Sequence, residues 1–146
     1  MDDATVVDGD AVAARLRGSF ARQTMMATLG AEMVETGAGR AVIAAPIGAH
    51  VLQQHGAGHA GLAFSLGDSA AGYAALSVMA AGSEVMTVEM KINLLSPATG
   101  DRLVAEGRVV KAGRRIAVVA ADVWAETAAG GKHVAMLQGT MIPVDP

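Results

Sequence analysis

Along this 146-residue chain the apolar positions recur first by fours, then by twos, then without interruption, then by twos again, and each change marks an element. From Asp10 to Thr28 the residues Val12, Leu16 and Phe20 fall every fourth position between Arg15, Arg17 and Arg22, which predicts an amphipathic surface helix with a narrow apolar stripe. Leu29 to Glu35 alternates, Gly37-Ala38-Gly39 can turn, and Arg40 to Ile47 is a second apolar run ending near Pro46, the pattern of a hairpin. Between Ala60 and Ala81 polar positions nearly vanish, so no wet face can be drawn and the helix must be wrapped on most sides. Asp68 near its middle, with interior glycines and serines, makes this a core helix rather than a membrane span.

Period two returns from Val85 to Leu95, where Met86, Val88, Met90, Ile92 and Leu94 alternate with Thr87, Glu89, Lys91 and Asn93. Three more strands are predicted over Leu103–Lys111, Arg115–Ala125 and His133–Val144, separated by turns at 97–101, Ala112-Gly113 and Gly130-Gly131. Helix, hairpin, apolar helix and four successive strands describe an α+β fold, one antiparallel sheet curled around one helix. The length predicts a single domain over residues 1–146, with the acidic residues 1–10 as a loose tail.

Composition narrows the partners. Fourteen acids against eleven bases give a net charge of −3, and only Arg114-Arg115 clusters, which speaks against nucleic acid. The absence of cysteine excludes disulfides, a thiolate nucleophile and cysteine-bound metal, and the N-terminus lacks the basic and apolar segments of an export signal. A cytoplasmic location without membrane attachment is expected. Nine methionines, Met25 and Met26 among them, suit either an adaptable pocket or ordinary core filling.

The chemistry concentrates in residues 53–70. A carboxylate in a buried helix is costly unless it has a partner or a task, and Asp68 could serve a reaction or simply bond Ser65 or Ser69. The glycine-rich loop ahead of the helix spells G-x-G-x-x-G from Gly56 to Gly61, yet no strand precedes it and no strand–helix units follow, so a dinucleotide fingerprint does not fit. A helix start with free amides and little bulk can instead hold an anion or a developing oxyanion. His55 and His59 with Asp68 might suggest a metal, but two histidines across a glycine loop without a third clear ligand are a weak signal, and none is expected.

Three segments then carry a family resemblance: Gln53-x-x-Gly56-x-x-His59-Ala60-Gly61 followed by Leu66-Gly67-Asp68-Ser69-Ala70, MTVEMKINLLSPA from Met86 to Ala98, and VVKAGRR from Val109 to Arg115. Over residues 25–144 the chain resembles the hotdog-fold acyl-CoA thioesterases, in particular their phenylacetate-pathway, PaaI-like branch. The resemblance implies that Asp68 acts on the thioester carbon as general base or nucleophile, and that the Ala60 amide polarises the carbonyl, with Gly61 beside it in the substrate loop. It implies that Gln53 orients water or substrate, that Thr87 hydrogen-bonds the acid or the water, and that His59 is a positioning residue. Ala60 stands where the family carries glycine, which adopts positive φ more readily. Lys111, Arg114 and Arg115 are candidates for the phosphates of coenzyme A, with a solvated turn as the alternative.

Implied too are edge-to-edge dimers with the site at their interface, two dimers joining as a tetramer, and hydrolysis of an acyl-CoA, aromatic or medium-chain, without metal or redox cofactor, coenzyme A being part of the substrate. The competing readings are a non-catalytic acyl-CoA binding module and an enoyl-CoA hydratase. The hydratase wants His and Asp about five residues apart, against nine here, and regulators of the binding type carry a DNA-binding segment that the acidic first 28 residues do not resemble.

Overall fold

In a computed structural model of the chain, residues 8–146 are described. The first seven residues of the expected tail lie outside them, and its last three belong to ordered structure: Asp8 caps the first helix by accepting from the Asp10 amide. The predicted helix over 10–28 is two helices, α1 over Gly9–Ala21 and α2 over Thr24–Leu29. Leu16 is fully buried and Val12 and Phe20 pack beside it, as their spacing required, but the stripe cannot also bring Met26 and Leu29 inward on one straight axis. The chain therefore breaks at Gln23, which is extended (φ −80°, ψ 98°), and α2 ends on Gly30 in the left-handed region at φ 66°.

The hairpin follows as β1 (Glu32–Gly37) and β2 (Arg40–Pro46), turning on Gly39 at φ 73°. Helix α3 runs from Ala60 to Leu76, five residues short of the predicted end. The buried Ser77 stops it, donating to the Ala74 carbonyl at 2.6 Å and accepting from the Gly39 amide at 2.8 Å, which ties the helix end to the hairpin turn. The four predicted strands are present as β3 (Glu84–Leu94), β4 (Arg102–Ala112), β5 (Ala117–Thr127) and β6 (Gly130–Val144).

All six strands form one antiparallel sheet in the order β1-β2-β4-β5-β6-β3, so β3 crosses from the β4 side and becomes the far edge, paired only with β6. The sheet curls around α3, giving the hotdog fold that the resemblance implied. Close approach of helix and sheet explains the small residues of both. A Cβ on Gly107 of β4 would lie 2.2 Å from the Ala70 carbonyl carbon, and one on Gly67 would lie 2.7 Å from a methyl of Leu137. With Ala41, Ile43, Leu103, Ala105, Val119 and Val123 below and Leu62, Leu66 and Ala70 above, this layer is dry. Among the described residues no helix is long and apolar enough to cross a membrane.

Candidate active site

Eleven of the seventeen α3 residues are buried, and those left open, Ala60, Gly61, Phe64, Ser65, Asp68 and Ser69, fall at i, i+4 and i+8 as one stripe along the helix. Apart from the Tyr73 hydroxyl, every polar side chain of the helix lies on that stripe. It faces β3, one of the two edge strands of the sheet.

At the head of the stripe the loop 52–59 is built by its own backbone. The Gln53 and His59 amides donate to the carbonyls of Ala57 and Val51, and the Gly58 amide donates to Ala98, each at 2.8 Å. His59 is the N-cap: its Nδ1 accepts from the Gly61 amide at 2.8 Å, so in the neutral ring the proton sits on Nε2. A Cβ on Gly61 would come within 3.0 Å of that ring nitrogen, which accounts for the glycine. With Gly61 engaged, the amide of Ala60 remains without an acceptor among the described residues, at the positive end of the helix dipole. No non-glycine residue among those described has positive φ, so alanine fits this position without strain.

The Gln53 side-chain oxygen accepts from the His55 and Ala57 amides, leaving its NH₂ group to donate elsewhere. Gln53, Ala57, His59 and Ala60 line a cavity of about 390 Å³ closed on the far side by Leu94 and Pro97. Gln53, His59 and Ala60, three of the candidates from the sequence, thus line one cavity.

Asp68 lies two turns further on. Its Oδ1 accepts from the Thr87 hydroxyl at 2.8 Å, not from Ser65 or Ser69; Ser65 donates to the Gly61 carbonyl instead. Burial raises the Asp68 carboxyl above its ordinary value of 3.8, and the Thr87 hydrogen bond opposes that rise without cancelling it. Thr87 reaches the acid because β3 is bulged at Val88: the register against β6 slips between Thr87 and Glu89. This corrects the unbroken alternation expected over 85–95. Val85 and Thr87 face α3 before the bulge and Met90 and Ile92 after it, while Met86 and Val88 point out, each 57% exposed.

A second cavity of about 180 Å³ opens beside Asp68, lined by Gln23, Ser69, Gly72, Tyr73, Thr87 and Met141. Gln23, Gly72 and Tyr73 escaped the sequence reading because each looked structural; the four- and five-residue spacing of Gly72 and Tyr73 from Asp68 was the available signal. Lys111, Arg114 and Arg115 line neither cavity. The register row Ala112–Ala117–Met141–Thr87 puts their turn at the Asp68 end of the sheet, three strands and about 14 Å from Thr87.

Within one chain the halves do not meet. Eight residues of helix separate Ala60 from Asp68, about 12 Å of rise, too far for one carbonyl group to touch both.

A carboxylate and a free helix-start amide on this scaffold can be compared with known proteins. The family model of the thioesterase superfamily matches residues 55–131. This chain belongs to the thioesterase superfamily. Among solved structures, a thioesterase family protein from Silicibacter pomeroyi is 39% identical, with 92% of this chain and 99% of that one covered and a TM-score of 0.90. A mutant of the phenylacetic acid degradation protein PaaI from Thermus thermophilus is 27% identical, covering 82% of this chain and 98% of that one at a TM-score of 0.73. The E. coli PaaI protein from the phenylacetic acid degradation operon shares the fold at 24% identity, with 93% and 95% covered and a TM-score of 0.83. No curated protein sequence matches. The PaaI-like thioesterase reading of the sequence stands, and the protein is a thioester hydrolase.

Proposed function

We propose that this thioesterase hydrolyses an acyl-CoA to the free acid and coenzyme A at a site shared by two copies of the chain. The observation that carries the proposal is the 12 Å gap: one chain holds an acid at one end of the open stripe and an unspent amide at the other, and neither half suffices. Pairing the free β3 edges of two chains antiparallel about a twofold near Met90 would set Glu89 opposite the partner's Lys91. With the bulge at Val88 counted, Thr87 would then stand opposite the partner's Ile92, the residue that lines a groove together with the partner's Ala60. Asp68 of one chain and the Ala60 amide of the other would so flank one thioester.

The chemistry then needs little. The partner's Ala60 amide and Gln53 NH₂ group hold the carbonyl oxygen as charge develops on it. Asp68, oriented by Thr87, either takes a proton from water as that water attacks the carbon, or attacks the carbon itself to give a mixed anhydride that a water then hydrolyses; in both routes the C–S bond breaks and the departing thiolate takes a proton from solvent. Neither route calls on a metal or a redox cofactor, because the thiolate is a good leaving group. Lys111, Arg114 and Arg115, at the Asp68 end of the sheet, supply positive charge suited to coenzyme A phosphates.

The test is thiol release from a panel of acyl-CoAs by wild type and by Asp68→Asn protein of unchanged circular dichroism. The wild type turns over at least one member and the variant loses at least about a hundredfold in kcat; equal rates in the two would remove Asp68 from the mechanism.

A further inference from the structure

The Thr87 hydroxyl has one proton and two acceptors within reach of it: Asp68 Oδ1 at 2.8 Å and the Met141 sulfur at 3.2 Å. Thr87 and Met141 stand directly opposite each other on β3 and β6, at the last pair before the bulge, so strand register holds the thioether beside the hydroxyl. Met141 has none of its surface exposed, and its methyl reaches toward Gly72 of α3, where a Cβ would lie 3.8 Å from it. Water reaches Thr87 in a single chain; the β3 pairing proposed above covers Thr87 and leaves the thioether in place.

The acid has two states, and they ask opposite things of Thr87. As a carboxylate Asp68 only accepts, and a charge-assisted bond from Thr87 outcompetes one to a thioether. Once protonated, Asp68 has an O–H of its own to donate, and burial favours that neutral form. When this O–H points at the Thr87 oxygen, the Thr87 proton needs a different acceptor, and rotation about the Cβ–Oγ bond turns it to Met141 without any proton leaving Thr87. Sulfur suits an acceptor that is used only part of the time. A thioether left unpaired in a dry core costs little, because it is soft and nearly apolar, whereas a buried carbonyl or amide oxygen without a donor carries its full desolvation penalty.

We propose that Met141 is a positioning residue for the reaction: its thioether accepts the Thr87 hydroxyl proton each time Asp68 becomes protonated, so that one hydroxyl orients the acid in both of its states. The inference rests on the hydrolytic reading above, whose general-base route protonates Asp68 once per turnover. The other titratable groups at this cavity are Tyr73 of α3 and Glu84 of β3, the latter 3.8 Å from Arg22. The junction of α1 and α2 and strand β6 present neutral groups there, Ser19, Gln23 and Met141, and in the proposed dimer the partner's loop brings His59. All of these except Met141 are the same in every protein compared below.

The test is the titration of the Asp68 carboxyl, followed by carbon NMR in the intact chain labelled at aspartate, with the Asp68 signal identified by its loss in Asp68→Asn. Met141→Leu keeps the volume and the apolar character and removes the sulfur. Because it takes an acceptor from the protonated state alone, it should lower the Asp68 titration by about half a pH unit, the low end of what one net hydrogen bond is worth. The acid limb of kcat/KM should move down with it. Added to Thr87→Val, which has no hydroxyl to turn, Met141→Leu should move nothing, and added to Thr87→Ser, which keeps one, it should again lower the titration. A Met141 that only fills space would shift the titration equally with and without the hydroxyl, or would change the melting temperature alone. Either result, or a titration that rises, overturns the inference and leaves the hydrolytic reading standing. If the titrations behave as expected but no acyl-CoA releases thiol, the hydrolytic reading fails and the exchange of Thr87 between Asp68 and Met141 is upheld.

Discussion

The Ala60 amide can be deleted without deleting a side chain. Ala60 is the first residue of α3, the position where proline is favoured because the N–H has no intrahelical partner. Proline also restricts the residue before it to extended backbone, and His59 is already there at φ −61° and ψ 144°. No hydrogen bond among the described residues is lost with the N–H. Ala60→Pro should thus fold with stability within about 1 kcal/mol of wild type. Loss of one oxyanion donor costs on the order of a hundredfold to a thousandfold in kcat, about 3–4 kcal/mol of barrier, with the acid untouched. The assay is thiol release under saturating acyl-CoA, beside a thermal melt. The shared site adds a sharper measurement: when Ala60→Pro and Asp68→Ala chains are mixed equally and allowed to exchange, random pairing makes about half of the dimers mixed, each with one intact site of two. Activity should then return to about a quarter of wild type, although each parent is nearly inert. A folded Ala60→Pro protein of wild-type kcat would remove the amide from the mechanism. A mixture no more active than its parents would place the acid and the amide of each site on the same chain.

Three further outcomes follow from particular contacts. Because burial raises the Asp68 carboxyl, the folded chain holds this proton more tightly than the unfolded one; the resulting stability is complete below 3.8 and is lost as pH rises through the higher folded value. Asp68→Asn should therefore melt higher than wild type at neutral pH and lose that part of the pH dependence, while the acid limb of wild-type kcat/KM should lie above the usual carboxylate range; an unchanged melt at neutral pH counts against a desolvated acid. Lys91→Glu, which in the proposed dimer opposes Glu89 with a like charge, should raise the dimer dissociation constant by about tenfold in sedimentation, and Glu89→Lys added to it should restore pairing; no effect of either would refute the β3 register. Gly107→Ala should cost at least about 1–3 kcal/mol in urea unfolding, since its Cβ would lie 2.2 Å from the Ala70 carbonyl carbon, and a neutral result would mean that α3 can lift from the sheet.

Much of this was legible in residue order because it depends on local rules. Alternation marks a half-buried strand wherever it occurs, and an unbroken Ala-, Gly- and Leu-rich run marks a wrapped helix, so β4, β5, β6 and most of α3 could be found without coordinates. A carboxylate within that run, and a glycine-rich helix start before it, were likewise visible as Asp68 and Ala60. What resisted reading were features fixed by distant partners. The break at Gln23 depends on Tyr73 and Ser69, and the early end of α3 depends on the hairpin turn that Ser77 contacts.

The sequence by itself thus determined the elements, the buried acid and the free helix start, because hydrophobic periodicity and the lack of an i−4 partner at a helix N-terminus are properties of short stretches of chain. Tertiary structure alone decided that β3 leaves its neighbour β4 for the open edge, that a bulge at Val88 turns Thr87 onto Asp68, and that acid and amide stand two turns apart on one exposed stripe. Strand order and register are set by which faces can be buried together across the whole domain, and no local pattern contains that information.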